Sequence, residues 1–421
     1  MAKRVRIGAG QGFYGDTFFP ALEIAERGDV QYIGFDALAE LTLAILQKDR
    51  QKDPTLGYTK DLPIFMQYLL PIAVEKGIRL VTNAGGINPR GAVEQVIRTA
   101  QKLGLKGLRI ARVEGDDVTG RIDELRAKGV SLAELESKAS IETIKERILF
   151  GCAYLGAKPI ADALAQGAQV VVTGRVSDPS LFLGPLIHEF GWSMEDWNRL
   201  AAGTVIGHLL ECSAQPTGGN WSGPWWEIPM MERMGYPIAE VSESGEAVIT
   251  KAEGTGGLVS VDTVKEQLLY EVHDPANYYS PDCVADFSSA KLENIDKDQV
   301  RLSGMRGKPA PNDLKVVIGY QNGWMGQGSI GYSWPDALAK ARKAEKILRA
   351  QMDMVGYSPK EIHVDYLGVD GLHGPVAPEP KEEPNEVYLR IAVRTESRQD
   401  AERLGRFMPY LGLNGPPFIG G

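Results

Sequence analysis

The chain has 421 residues, of which 43% are hydrophobic and 24% are charged, and its formal net charge is −9. This balance is typical of soluble globular proteins and excludes intrinsic disorder. An acidic chain without a long Lys/Arg cluster disfavours binding to nucleic acid or to an anionic membrane, and no run of roughly 20 apolar residues could span a bilayer. The three cysteines are too few for a disulfide framework. The N-terminus runs directly into a predicted strand, so we expect no signal peptide and a cytoplasmic protein.

Short apolar, β-branched runs alternate with helical patterns over the first 275 residues. The predicted strands are residues 4–7, 30–35, 79–82, 107–113 and 169–173, and the predicted helices are residues 17–27, 36–47, 91–103 and 159–166. This alternation predicts an α/β core domain over residues 1–275, with a mostly parallel sheet built from βα units. Because ligands bind such sheets at the carboxyl ends of the strands, the loops after these strands are the first candidates for a site.

The pattern changes over residues 276–421, where we predict a smaller α+β region with an antiparallel sheet. It includes a small terminal βαβ-like unit. The predicted strands are residues 314–320, 329–332, 361–369 and 386–394, and the predicted helices are residues 336–354 and 398–408. Strands 314–320 and 329–332 are predicted to pair as a hairpin. A Pro- and charge-rich segment, residues 375–384, is predicted to be an exposed loop.

Glycines follow the first predicted strand, in the segment from Gly8 to Asp16. Gly10 and Gly12 lie in a pattern close to a dinucleotide-binding loop, and Asp16 stands at the start of the next helix. The loop is therefore a candidate cofactor site formed by Gly10, Gly12 and Asp16. The alternative is a tight βα turn, in which glycine supplies the backbone freedom and Asp16 caps the helix.

Polar loops follow two further strands. The first, residues 82–90, carries the candidate substrate-binding residues Asn83, Gly85, Gly86, Asn88 and Arg90. Asn side chains suit carboxylate or carbonyl recognition, and Pro89 at the first helical position leaves amides free for an anion. The alternative is an ordinary βα turn.

The second polar loop, residues 173–180, contains Arg175, a candidate bidentate clamp for a carboxylate or phosphate, and the candidate catalytic Asp178. The alternatives are an internal Arg175–Asp178 ion pair and an Asp178 that caps the following helix.

Residues 207–220 form the densest cluster of chemically useful side chains. His208 and Glu211 are three residues apart, so they share one face of a helix and form a candidate acid/base pair. The same pair could contribute to a divalent metal site, although two ligands are too few for a site on their own. Alternatively, His208 could be a core residue whose ring is hydrogen-bonded within the protein. Cys212 is a candidate nucleophile only if its pKa is lowered; otherwise it is a buried structural residue. Thr217 and Gly218 are further candidate substrate-binding residues.

Two other loops could contribute to a pocket. Trp221, Trp225 and Trp226 lie in a Gly/Pro-containing segment that could form a pocket wall, a lid or a subunit interface. Thr255 and Gly256 belong to a Gly-rich segment whose free amides could hold a phosphate or carboxylate. No signature of a redox cofactor, of a zincin or of an α/β-hydrolase is present, so the cofactor is left unknown and a divalent metal is left open.

Several blocks of the sequence resemble the acyclic terpene utilisation (AtuA) family. They are residues 35–40, 173–181, 207–212, 254–259, 267–275 and 281–286, while residues 413–416 resemble the small domain that closes many members. The resemblance implies a role in the catabolism of branched or terpenoid carboxylic acids, commonly beside acyl-CoA enzymes. It supplies no catalytic residues, so the candidate sites rest on the patterns described above.

These observations predict an enzyme that acts on a small branched or CoA-activated carboxylic acid as a hydratase or dehydratase (a hydro-lyase) or as an isomerase. Arg175 and the loop 83–88 would hold the carboxylate or thioester oxygen, and His208 with Glu211 would move the proton. We expect a homo-oligomer that binds neither nucleic acid nor membranes. The alternative is a non-catalytic subunit that depends on a small partner subunit, and a weaker third option is a hydrolase that uses Cys212.

Overall fold

The structure is a computed structural model that describes residues 3–420 and divides into two compact units, one ending at Tyr320 and one beginning at Gln321. Met1, Ala2 and Gly421 lie outside the described residues. The predicted division between residues 275 and 276 falls inside the first unit, because strands that follow it pair within the large sheet of that unit. Each unit is described by itself below.

The first unit contains fourteen strands and nine helices within its described residues. The strands are β1 (Arg4–Gln11), β2 (Tyr32–Phe35), β3 (Arg79–Thr82), β4 (Ile110–Val113), β5 (Ile148–Ala153), β6 (Val170–Thr173), β7 (Pro237–Ser242), β8 (Ala247–Lys251), β9 (Tyr278–Tyr279), β10 (Val284–Asp286), β11 (Lys291–Asp296), β12 (Gln299–Ser303), β13 (Arg306–Lys308) and β14 (Val316–Tyr320). The helices are α1 (Phe19–Arg27), α2 (Glu40–Lys52), α3 (Leu62–Lys76), α4 (Pro89–Lys102), α5 (Ile122–Ala127), α6 (Lys158–Ala165), α7 (Ser180–Phe190), α8 (Trp197–Glu211) and α9 (Val261–Leu269).

Among residues 3–320, the largest sheet has nine strands in the order β11-β12-β8-β7-β1-β2-β3-β6-β4. The strands from β1 to β4 in this order are parallel, which confirms the predicted parallel sheet, and β7, β8, β12 and β11 extend the sheet in antiparallel fashion. Every residue of β2 and β6 is buried. Such fully apolar strands belong to a parallel sheet that helices cover on both faces.

The carboxyl ends of the parallel strands position the polar loops together. β1, β2, β3 and β6 end at Gln11, Phe35, Thr82 and Thr173. Gly12, Asp36, Asn83 and Gly174 therefore follow at one edge of the sheet, where ligands of such folds bind.

The predicted hairpin between residues 314–320 and 329–332 is wrong. β14 pairs with β5 in a separate two-stranded antiparallel sheet, with Val317 opposite Cys152. Residues 329–332 instead belong to a strand of the second unit that pairs with two other strands of that unit. The alternating apolar pattern identified both strands, but it carries no information about which strand pairs with which.

The second unit is an antiparallel α+β structure, as predicted. Its strands are β15 (Trp324–Ser333), β16 (Glu361–Leu367), β17 (Glu386–Thr395) and β18 (Ile419–Gly420), and its helices are α10 (Ala337–Met354), α11 (Arg398–Arg403) and α12 (Tyr410–Asn414). The strand order is β16-β17-β15-β18. Alternate residues of β17, from Val387 to Val393, are buried with α10 in a separate hydrophobic core.

Over residues 3–420, every helix is too short or too polar to cross a bilayer.

The structure predicts a packing role for Gly10 that is independent of any cofactor. A Cβ atom at Gly10 would overlap the Phe35 ring, whereas a Cβ atom at Gly120 would have nothing within 4 Å. We expect Gly10→Ala to lower the free energy of unfolding by about 1–3 kcal/mol, the usual cost of overpacking a core. Gly120→Ala is the matched control and should leave the urea midpoint nearly unchanged. Equal midpoints for the two variants would contradict the packing role.

Candidate active site

A cavity of about 700 Å³ lies at the carboxyl edge of the parallel strands, entirely within the first unit. It is bounded by the loops after β1, β2 and β6, by the end of α8, and by segments 270–281 and 311–315. The ionisable Asp, Glu, Arg and Lys side chains that line it are Asp36, Glu40, Arg175, Asp178, Glu211, Glu271, Asp313 and Lys315. Apolar and aromatic residues form much of the remaining wall, and this mixture is typical of small-molecule sites.

The predicted pair of His208 and Glu211 is present at the end of α8. This helix is capped by the Asp196 side chain, and its residues from Leu200 to Glu211 are all buried. Nδ1 of His208 lies 2.8 Å from Oε1 of Glu211. Glu211 lines the cavity, whereas His208 lies behind it and is not part of the lining. His208 is therefore placed to orient Glu211, and Glu211 is placed to meet a ligand.

Burial disfavours the charged form of both members of this pair. Removal from water lowers the pKa of His208 to about 4. The same burial, together with the negative charges of Asp178 and Glu271, raises the pKa of Glu211 well above its usual value. Within the described residues, Oε2 of Glu211 has no hydrogen-bond partner. When Nδ1 of His208 carries its proton and donates to Oε1, Oε2 is the oxygen that is free to carry the carboxyl proton.

Asp36 is a second buried carboxyl group, and Asn83 holds it in place. The amide of Asn83 donates to Oδ1 of Asp36, and its oxygen accepts from the Ala37 backbone at 2.7 Å. Burial raises the pKa of Asp36 well above its usual value, and the negative charge of Asp178 raises it further. Asn83 thus reaches the site through Asp36, because it does not line the cavity itself.

Arg175 is 2% exposed, and its known contacts are internal. Its Nη1 donates to the Leu38 carbonyl at 2.7 Å and lies 2.9 Å from Oδ1 of Asp178, which confirms the internal ion pair. The guanidinium carbon lies 4.0 Å from the centre of the Tyr154 ring. Nε of Arg175 has no partner among the described residues. The prediction that Asp178 caps the next helix is wrong, since α7 begins after Pro179 without a side-chain cap.

Glu40, Tyr154 and Lys315 form a polar group on the cavity wall. The carboxylate of Glu40 accepts hydrogen bonds from the Tyr154 hydroxyl and from Lys315, the latter at 2.8 Å. Although partial burial acts in the opposite direction, these two donors lower the pKa of Glu40 to about 2. Lys315 also lies 4.7 Å from the centre of the Tyr154 ring. Glu40 is therefore an anion at neutral pH, whereas burial favours the protonated form of Glu211.

Most of the loop 83–90 is structural. The Asn88 side chain caps α4 by accepting from the Gly91 amide and donates to the carbonyls of Thr55 and Leu56. Gly85 packs so closely against the Thr173 carbonyl that a Cβ atom would overlap it, and the Gly86 amide donates to the Asn83 carbonyl. Arg90 lies at the surface beside Glu94. These four residues do not line the cavity, which corrects the expectation of a substrate loop here.

The glycine loop after β1 contributes Gly12 to the cavity, but Gly10 is a packing residue and Asp16 is occupied. Asp16 accepts from the backbone amides of Gly12 and Thr17 and from the hydroxyls of Ser213 and Tyr236. It does not cap α1, whose N-cap is Phe18. Because four donors already surround its carboxylate, Asp16 joins the β1 loop to the segment after α8.

The remaining predicted substrate-binding residues also have internal partners. The Thr217 hydroxyl lies 2.6 Å from the Gly235 carbonyl, and the Gly218 amide donates to Gln215. The Thr255 hydroxyl donates to Ala252 at 2.6 Å, and the Gly256 amide donates to Arg233. These four residues lie outside the cavity lining, so their donors are used to fold the chain.

Cys212 lies in the cavity wall, whereas Trp225 and Trp226 lie at the surface. Cys212 lines the cavity, but burial raises the pKa of its thiol and disfavours the nucleophilic thiolate. Trp225 and Trp226 are 56% and 68% exposed, and neither lines the cavity. The pocket-wall interpretation is therefore wrong for these two side chains.

Sequence reasoning missed several lining residues. Asp36 directly follows a predicted strand, so the strand-end rule that selected Asn83 and Arg175 could also have selected it. Glu40 and Glu271 lie in the family-like blocks 35–40 and 267–275, but no strand-end or spacing rule selected them, and Tyr154 and Lys315 come from segments without a recognisable motif. Across residues 3–420, no three His, Cys, Asp or Glu side chains are grouped closely enough to hold a metal ion.

The fold and the cavity together define a mixed α/β protein with a partly buried, acid-rich pocket for a small molecule. The family model described as "Acyclic terpene utilisation family protein AtuA" matches residues 5–421. The chain therefore belongs to this family, which confirms the resemblance and indicates an involvement in acyclic terpene utilisation. No curated protein and no solved structure matches the chain significantly.

The protonation of Glu211 can be measured directly. We expect the infrared difference between the wild type and Glu211→Gln to contain a carboxylic acid band near neutral pH, because burial raises the pKa of this group. The band should disappear as the pH rises through that raised pKa. Glu293→Gln, at an exposed residue paired with Arg301, is the control and should remove only carboxylate bands. A carboxylate signature for Glu211 near neutral pH would show that the stored proton is absent.

Proposed function

We propose that the protein is an enzyme that adds or removes water, or moves a double bond, in a small branched acyl compound bound in the cavity. The observation that carries this proposal is the Glu211 carboxyl group, which is buried, held by His208 at Oε1 and unpartnered at Oε2, on a residue that lines the cavity. A carboxylic acid that retains its proton near neutral pH is suited to protonate a leaving hydroxyl group.

Asp178 is the proposed base. Burial raises the pKa of Asp178, but the adjacent Arg175 acts in the opposite direction and favours its ionised form. Burial raises the pKa of Glu211, and the negative charges of Asp178 and Glu271 raise it further. Arg175 lowers this pKa, but its effect is smaller than theirs. Neighbouring carboxyl groups whose pKa values differ can serve as acid and base in one reaction.

Asp178 and Glu211 supply all the proton transfers that the proposed reaction requires. In dehydration, Asp178 accepts the proton from the carbon next to the carbonyl group. The electrons of that C–H bond form the double bond, and the C–O bond to the hydroxyl group breaks. Glu211 donates its proton to the leaving oxygen, which departs as water. Hydration is the reverse, and double-bond isomerisation moves a proton between two carbons by means of the same groups.

The walls of the cavity suit a branched hydrocarbon chain. Leu38, Leu314, Phe13 and Pro281 line it with several tyrosines, and a volume of about 700 Å³ lies within the usual range for small-molecule sites. Together with membership of a terpene utilisation family, this favours a branched acyl chain as the substrate.

Solvent deuterium exchange tests the proposal without requiring the full substrate. Branched enoyl and 3-hydroxyacyl compounds, as free acids and as N-acetylcysteamine thioesters, are incubated with the protein in deuterium oxide and analysed by mass spectrometry. We expect exchange next to the carbonyl group, lowered about 10²-fold or more in Glu211→Gln, since this is a typical contribution of one acid/base group. Unaltered exchange in this variant would contradict the proposal.

Variants of His208 separate positioning from chemistry. An Asn amide can replace Nδ1 of His208 and keep the contact with Glu211, whereas Ala cannot. We therefore expect His208→Asn to retain much more exchange activity than His208→Ala. Glu293→Gln, outside the cavity, is the control for a Glu-to-Gln change and should retain full activity.

One surface feature favours a second candidate, a subunit that needs a partner. Trp225, Trp226, Met230 and Met231 are all exposed and lie within seven residues of chain. Clusters of exposed aromatic residues and methionines are typical of interfaces. We expect light scattering to show a self-associated protein whose mass falls in Trp225→Ser/Trp226→Ser. A wild-type protein that is both monomeric and inactive in the exchange assay would favour a missing partner subunit.

A further inference from the structure

We propose that the cavity accepts the reacting part of its substrate as an uncharged carbonyl or hydroxyl group and rejects free carboxylates. This inference rests on the proposed function and specifies its substrate class. It replaces the expectation that Arg175 and the loop 83–88 clamp a carboxylate.

The first argument is the charge of the lining. Among the described residues that line the cavity, six carry a carboxyl group and two carry a cation: Asp36, Glu40, Asp178, Glu211, Glu271 and Asp313 against Arg175 and Lys315. Like charges repel more strongly in a partly buried site than in water. Burial already disfavours the charged forms of Asp36 and Glu211, so the site opposes the addition of another negative charge.

The second argument is that both cations are engaged. Nη1 of Arg175 lies between Asp178 and the Leu38 carbonyl, and its guanidinium lies over the Tyr154 ring. Lys315 lies 2.8 Å from Glu40, a carboxylate whose pKa of about 2 keeps it ionised. A substrate carboxylate would have to compete with the carboxylate that already holds each cation, and in the first pair that cation is the buried Arg175.

The third argument is that two donors remain for a neutral oxygen. Oε2 of Glu211 and Nε of Arg175 are both buried, belong to residues that line the cavity, and have no partner among residues 3–420. Glu211 is 6% exposed and Arg175 is 2% exposed. Buried polar atoms without partners are costly, so a side-chain shift that lets a ligand oxygen accept from them is favoured. The oxygen of a thioester, an aldehyde or an alcohol can do this without adding charge.

Matched ligands distinguish the classes. Isothermal calorimetry at mildly alkaline pH compares three probes with the same branched chain: 3-methylbut-2-enoate, its N-acetylcysteamine thioester, and 3-methylbut-2-en-1-ol. We expect the thioester, the alcohol or both to bind at least about tenfold more tightly than the free acid, a modest factor for like charges in a partly buried site. Tighter binding of the thioester than of the alcohol identifies an acyl substrate, and the reverse order identifies an alcohol.

A charge-removing variant tests the cause. Asp178→Asn removes one negative charge and releases Arg175, so it should tighten binding of the free acid by about tenfold while the thioester affinity changes much less. Asp313→Asn, at an exposed position of the lining, is a second variant in case the first does not fold. Asp162→Asn, on α6 beside Lys158, is the matched control and should change neither affinity.

The outcomes separate this inference from the proposed function. A free acid that binds as tightly as the thioester and the alcohol overturns the inference, as does failure of both neutral probes to bind. Preference for a neutral probe without deuterium exchange supports the inference and contradicts the proposed reaction. Deuterium exchange that is faster with the free acid than with the neutral probes supports the proposed reaction and contradicts the inference.

Discussion

The buried guanidinium of Arg175 is the constraint on which the site depends. It lies among Asp36, Asp178 and Glu211, and although burial raises the pKa of all three carboxyl groups, the charge of Arg175 acts to lower each of them. Arg175 also joins distant parts of the chain, since it contacts the Leu38 carbonyl after β2 and the Tyr154 ring after β5. A buried cation with so many partners is costly to move, because each departure would leave a carboxyl group unbalanced. This fixes the geometry in which the acids of the cavity operate.

The carboxyl groups of the cavity are of two kinds, which differ in their charge. Glu40, with donors from Tyr154 and Lys315, is an anion of fixed charge, whereas Glu211, with His208 behind it, keeps a proton. Both are glutamates on the wall of one cavity, so the difference comes from their partners and from their burial. A pocket of this kind can recognise a neutral molecule and still transfer a proton to it.

The sequence allowed us to predict contacts between residues close in the chain and the location of residues at strand ends. The spacing of His208 and Glu211 on α8 and the Arg175–Asp178 pair follow from local geometry, and the parallel strands follow from their apolar pattern. Strand partners were not predictable from the pattern alone, as β14 demonstrates by pairing with β5. Asn88, Asp16 and Thr255 looked like ligand residues because the polar side chains that close turns and caps are the same types that bind substrates. Only the hydrogen-bond partners in the folded structure separate the two uses.

The long separation between Glu40 and Lys315 has a consequence for biosynthesis. The two residues are 275 positions apart in the chain, and the cavity also requires Glu211 and the segment 270–281. During synthesis, the ribosome therefore releases Asp36 and Asp178 long before Lys315 and the chain that encloses them. Contacts between residues so far apart form slowly, because closing a long loop costs conformational entropy before the contacts repay it. The cavity therefore needs nearly all of the first unit before it can close.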